Sequence, residues 1–185
     1  MGLRRVLSSI LASLSRWAIV KHGMKFIVVA GDHGTKLTGE LISEMLSPDY
    51  VIRRQLDRPF WDFSIPLTIL GFEDRRYSAF EWVFILTQAF FLLLFGKKNF
   101  TWTLLQMSTY KKEIAEYWSQ IILPEVLVLV NSASGTEGLE SRLVKRTRRL
   151  VVIPRKLEDH TAFSKHVPAE VVTVGDSKDS DLVIE

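Results

Sequence analysis

Cysteine is absent from the 185 residues. Disulfides, zinc–thiolate sites, iron–sulfur clusters and cysteine nucleophiles are therefore excluded. Charge of one sign is also nearly lacking. Lys plus Arg number 24 against 21 Asp plus Glu, a net charge of +3. That excess carries no case for a nucleic-acid partner, despite a pI near 9.2. The four histidines, His22, His33, His160 and His166, have no metal-ligand spacing. There are no internal repeats, no low-complexity linkers and no Ser-His-Asp pattern. What is present is ordinary globular material. The hydrophobic fraction is 47% and mean hydropathy is +0.13, which excludes a disordered tail. The length predicts one domain with a short appendage and a core of its own.

Two stretches are unusually apolar. Residues 1–20, MGLRRVLSSILASLSRWAIV, place Val6, Leu7, Ile10, Leu14 and Trp17 on one helical face, with Arg4 and Arg5 near one end. Three accounts fit: the helix packs on its own domain, it meets an anionic membrane surface, or it is a cleaved signal. Residues 79–96, AFEWVFILTQAFFLLLFG, sit near the lower length limit for a membrane span, with Glu81 and Gln88 inside and Lys97 and Lys98 after. A buried or interfacial helix, a monotopic membrane contact and a span are the alternatives.

The rest alternates strand and helix. KFIVVAG (25–31) reads as a buried parallel strand. Residues 36–46 read as a helix with Leu37, Leu41, Ile42, Met45 and Leu46 at helical spacing. Residues 50–52 suit a short strand, SIPLTILG (64–71) is an apolar run with an early proline, and 99–108 reads as a strand. A helix over 110–122 carries Ile114, Tyr117, Trp118, Ile121 and Ile122. Strands follow at 125–131, 150–154 and 170–175, with a basic helix over 137–148. The expectation is an α/β domain with a mostly parallel sheet flanked by helices. Its extent is 25–185, preceded by an amphipathic helix in 1–24. The basic run Arg142, Lys145, Arg146, Arg148 and Arg149 reads as a solvated face or a face for an acidic partner.

Chemistry is expected at the first strand–turn–helix. Gly31, Asp32, His33 and Gly34 form a turn whose backbone N–H groups suit an anion at a helix N-terminus. A working phosphate loop adds Lys directly after the last Gly and then Ser or Thr. Here Thr35 follows Gly34, Lys36 comes next, and Leu37 intervenes before Thr38.

The run VVAGDHGTKLTGELISEML resembles the ATP-binding loop of the Mur ligase central domain. SIPLTILG resembles the family segment Gly-Val-Pro-x-Thr. TLLQMSTYKKEIAEYWSQIILPEVLVLVNSASG resembles the strand–helix–strand that opens on Glu-Met/Leu-Gly and ends on Thr-Asn-Ile, and EVVTVG resembles a later family strand. The helix after YSAFEW is similar to that of the D-alanyl-D-alanine-adding branch. The resemblance covers about residues 25–180. It implies a P-loop-like α/β fold and an ATP- and Mg²⁺-dependent ligase chemistry, in which a carboxylate is phosphorylated and an amine displaces phosphate to build the peptide of peptidoglycan.

Carried over residue by residue, the implied site is broken. Thr35 stands at the phosphate-binding Lys position and Lys36 at the Mg²⁺-binding hydroxyl position. Gln106 stands at the metal-binding Glu position, and Trp61 near the family Asn. Asn131 is kept, but no His follows it in NSASGTEG; Lys145 matches the lysine that many members carbamylate. A register shift by one residue would instead bring Lys36 to phosphate with the Thr38 hydroxyl, and Asp32 or Glu40 as the acid. The degenerate nucleotide loop is thus Gly31, Asp32, His33, Gly34, Thr35, Lys36 and Thr38, with no catalytic residue and no metal ligand assigned. ATP and Mg²⁺ are implied only if the family's activity survives. The resemblance also implies that the family's N-terminal substrate domain and C-terminal domain are absent. The expected role is a binding or scaffold protein linked to cell-wall peptide synthesis. The rivals are an ATP-binding subunit completed by a partner chain and a membrane-associated structural protein. The expected location is cytoplasmic, peripheral at the inner face of the membrane if residues 1–20 and 79–96 meet lipid.

Overall fold

A computed structural model describes residues 3–31, 33–55, 63–73, 75–97, 99–108, 112–130, 139–154 and 169–174. The elements run α1 (Leu3–His22), β1 (Lys25–Gly31), α2 (Thr35–Leu46), β2 (Ile52–Arg54), α3 (Ser64–Leu70), α4 (Ala79–Phe95), β3 (Trp102–Ser108), α5 (Lys112–Ile121), β4 (Pro124–Val130), α6 (Leu139–Arg146), β5 (Leu150–Pro154) and β6 (Glu170–Val174). The six strands form one parallel sheet in the order β2-β3-β1-β4-β5-β6. The α/β expectation therefore holds, and the strand at 50–52 is corrected to Ile52–Arg54.

The central strand β1 is apolar along its whole length because both its faces are covered. Phe26, Val28 and Ala30 join Leu105, Met107, Leu127, Leu129, Val151 and Ile153 in the main core, beneath α1, α3, α5 and α6. α2 covers the other face, where Gly39 lies against Leu104 and Gln106. SIPLTILG is a helix, α3, buried at all seven positions, with its proline in the first turn where no N–H is needed. The Arg53 guanidinium donates to the Ile69 carbonyl at 2.8 Å and stacks 3.9 Å over the Phe100 ring, tying β2 to α3. Burial there pushes its pKa below the ordinary arginine value.

Two amphipathic faces differ from the periodicity, and a third largely follows it. On α1 the buried positions are Leu11, Ala12, Ser15 and Ala18, while Val6, Ile10 and Trp17 are exposed. On α2 the buried positions are Thr35, Gly39 and Ser43, while Leu37, Leu41 and Met45 face solvent. On α5 the expected stripe holds: Trp118 and, just past the helix end, Ile122 are buried and Ile114 and Ile121 pack against the core, while Tyr117 is exposed and bonded to Arg16. On α2 small side chains let the helix approach the sheet closely, and the larger apolar residues fall to the flanks.

The basic run after α6 is partly structural. Arg146 donates to the carbonyls of Ser119 and Gln120 at 3.0 and 2.8 Å, capping the end of α5. Arg148 and Arg149 pair with Glu125 at 3.4 and 3.0 Å.

α4 begins in a reciprocal cap. The Ser78 N–H donates to Glu81 Oε2 at 2.7 Å and the Glu81 N–H donates to Ser78 Oγ at 3.4 Å, while Arg75 donates to Glu81 Oε1 at 2.9 Å. The Ser78 backbone N–H first, then its hydroxyl and Arg75, hold the Glu81 carboxyl below its ordinary value. A depressed carboxylate supports folding above its unfolded pKa, and that support is lost as pH falls through the folded value. The Glu81 carboxyl resonance should therefore titrate below the ordinary glutamate range in NMR. Ser78→Ala should bring that titration up and lower stability by about 1 kcal/mol.

Candidate functional site: the carboxyl edge of β1 and β3

In parallel α/β sheets ligands gather beyond the carboxyl ends of the strands. Here β1 and β3 end side by side, with Val29 opposite Gln106 and Gly31 opposite Ser108. Gly31 is buried at φ 153°, and a Cβ on it would lie 1.8 Å from the Val130 carbonyl oxygen of β4. Only glycine lets β1 and β4 close at this edge. Gly34, at φ 82°, is the N-cap of α2 and supplies no side-chain cap. The Thr38 N–H bonds to the Gly34 carbonyl at 2.9 Å. The earlier first-turn amides, Thr35, Lys36 and Leu37, precede the first intrahelical bond and sit at the positive end of the helix dipole.

The side chains at this turn are poorly suited to a triphosphate. Thr35 is buried under the turn. Lys36 is half exposed and points along the helix to Glu40, 3.9 Å away. Glu40 thereby offsets the one lysine in the loop. His33 is exposed, and Thr38 is half-buried. Asp32, Trp61 and Asn131, named above, lie outside the described residues, as do His160 and His166. Lys145 is exposed on the last turn of α6. The chain from there reaches Arg148, whose N–H bonds to Pro124 at the start of β4. Lys145 is therefore at the amino edge of the sheet, opposite the turn.

Gln106 is buried, at 5% exposure, and belongs to a polar network beside α2. Its backbone N–H donates to Gln55 Oε1 at 2.9 Å. The Gln55 N–H donates to the Leu104 carbonyl at 3.1 Å, and Gln55 Nε2 donates to Ser64 Oγ at 2.7 Å. The Gln106 side chain fills the place a Cβ on Gly39 would need, its Nε2 being 3.0 Å from that point. Sequence reasoning missed Gln55 and Ser64. The available signal was a lone glutamine directly after a strand, next to a buried partner that only the fold reveals.

A hard cation needs carboxylate or other oxygen ligands. Among the described residues no group of three or more His, Asp or Glu side chains could hold a metal ion. The amide of Gln106 and the ammonium of Lys36 do not fit Mg²⁺.

No protein-family model matches the chain, and no curated protein matches it. Solved structures share its fold. A MurF ligase from Thermotoga maritima, in complex with ADP, superposes with a TM-score of 0.63 at 16% identity, over 92% of this chain and 37% of that one. A UDP-N-acetylmuramoylalanyl-D-glutamyl-2,6-diaminopimelate–D-alanyl-D-alanyl ligase from Acinetobacter baumannii gives a TM-score of 0.58 at 13% identity, over 88% and 34%. The chain thus spans about a third of the length of the structures it matches. At these identities the likeness is one of fold: a parallel sheet flanked by helices that resembles the Mur ligase central domain.

Proposed function

We propose that this chain keeps a Mur ligase-like central fold, of the D-alanyl-D-alanine-adding kind, as a binding or scaffold domain allied to cell-wall peptide synthesis, without ordinary ligase turnover. The observation that carries this reading is the pairing of Lys36 with Glu40 beside a buried Thr35 and a neutral, buried Gln106. Phosphoryl transfer depends on charge placed where charge develops on the γ-phosphate. Thr35 has no charge to offer, Lys36 is partly neutralised, and Gln106 cannot replace a carboxylate in a hard-cation site. What the turn retains is the amino end of α2 behind a glycine N-cap, which favours an anion weakly and without chemistry.

A second reading is favoured by that same helix end and by Gly34. In it the chain is the ATP-binding part of an amide ligase completed by a partner chain. The nucleotide seen in the Thermotoga maritima protein would then have a counterpart here.

Calorimetry with ATP, with and without Mg²⁺, on this chain and on Lys36→Ala separates the two. The expected result is no Mg²⁺-dependent binding up to millimolar ATP in either protein. Micromolar, Mg²⁺-dependent binding that Lys36→Ala abolishes would overturn the scaffold reading and establish the second.

A further inference from the structure

α4 has 17 residues, of which only Ile85, Ala89 and Leu93 are buried. Apart from Glu81, Thr87 and the exposed Gln88, the rest of its surface is also apolar. Phe80, Val83, Phe84, Phe91, Leu94 and Phe95 are all exposed, Phe80 by 84% and Phe95 by 77%. The hydroxyl of Thr87, in the middle of this face, turns back to the Val83 carbonyl at 2.8 Å and so adds little polarity. A helix with so wide an apolar surface is normally enclosed by protein or by lipid.

α1 runs beside α4 in the same direction. Trp17 meets the Phe90 ring edge-on at a centroid distance of 6.1 Å, and Lys21 Nζ donates to the carbonyls of Leu93 and Leu94 at the end of α4. Val6, Ile10 and Trp17 follow one another on the flank of α1 nearest α4 and extend the exposed apolar face.

The charge along α1 is of one sign. α1 carries Arg4, Arg5, Arg16 and Lys21 and no acidic residue. Before α4, Arg75 is paired with Glu73 at 3.7 Å and with Glu81 at 2.9 Å, so the basic charge of the border lies on α1 and at Lys97 beyond the end of α4. The one acid on α4, Glu81, is engaged by Ser78 and Arg75. A second copy of the chain docked by a two-fold through this face would set these basic borders against each other. An anionic lipid surface complements both the apolar face and its border.

We propose that the α1–α4 face docks on an anionic bilayer, with α4 lying in the plane of the interface and its phenylalanines among the acyl chains. No helix among the described residues is long and apolar enough to cross a membrane. At 1.5 Å per residue α4 is about 25 Å long, which suits a helix lying flat with the basic α1 alongside it and Lys97 at its end.

The test is sedimentation of the full chain with vesicles of phosphatidylcholine alone, or containing roughly 30% phosphatidylglycerol. Binding to the anionic vesicles is expected to exceed binding to the neutral ones by roughly a hundredfold, and to fall steeply at about 0.5 M salt. Phe84→Glu with Phe91→Glu should abolish it, and Arg5→Glu with Lys97→Glu should weaken it about tenfold or more while the circular dichroism and melting temperature stay put. Equal binding to both vesicles, or no binding to either, would overturn the proposal. So would a dimer in light scattering that the Phe84/Phe91 variant dissociates, which would assign the face to a second copy.

Discussion

Gly31→Ala is expected to cost this domain more than about 4 kcal/mol, close to the whole stability of an average fold. The new methyl would sit 1.8 Å from the carbonyl oxygen of Val130. That atom belongs to the backbone of the neighbouring strand, so no rotamer change relieves the overlap. Gly31 pairs with Val130 at the last rung of the β1–β4 ladder, and moving either strand opens the centre of the sheet. Its φ of 153° adds strain for any L side chain. Gly23→Ala is the internal control. That residue has φ 53°, but a Cβ there meets nothing within 4 Å. Its loss should stay near the 1–2 kcal/mol of left-handed backbone strain. Urea denaturation of both variants decides the matter: equal midpoints would mean that the close approach to Val130 does not exist.

Gln55→Ala should be the next most damaging change, by about 2–4 kcal/mol. Gln55 is buried, at 3% exposure, and serves two buried groups, accepting from the Gln106 N–H and donating to Ser64 Oγ. Truncation strands both, and an unpaired buried polar group forfeits its full hydration. Gln55→Glu gives a sharper signature. A carboxyl group buried there has its folded pKa raised above the unfolded value of about 4.3, because burial disfavours the charged form. Below the unfolded pKa the protonated acid can still accept from Gln106 and donate to Ser64, so the variant should approach the parent. As pH climbs from the unfolded toward the folded pKa its stability should fall away from the parent and then level off. Chemical denaturation across that range measures it, and a pH-independent difference would show that residue 55 is open to water.

The element sequence was legible because strand and helix periods are set by local residue choice. KFIVVAG and LVVIP matched their strands to the residue, and the α/β layering followed from the alternation. The direction in which helices face was less so. Leu37, Leu41 and Met45 form a good apolar stripe on α2, yet Thr35, Gly39 and Ser43 meet the sheet because Leu104 and Gln106 already fill the space beneath. That competition for volume involves residues some 65 positions apart and leaves no local trace. The loop Gly31–Lys36 was found from its glycines. The Gln55–Ser64–Gln106 network was not, since a hydrogen bond between a strand end and a distant helix has no sequence period. The apolar character of α4 was plain from its composition, but only the fold shows which three of its residues are enclosed.

The position of β1 sets a timing problem for the nascent chain. It is the third strand across and apolar on both sides, yet its two neighbours, β3 and β4, begin only at Trp102 and Pro124. At roughly 5–20 residues per second, translation leaves β1 without its second neighbour for about 5–20 s after Gly31 is made. Pairings so distant in sequence form slowly. A ribosome-tethered series of lengthening chains should stay protease-sensitive until β4 has emerged, and a chaperone that binds extended apolar segments should protect β1 until then.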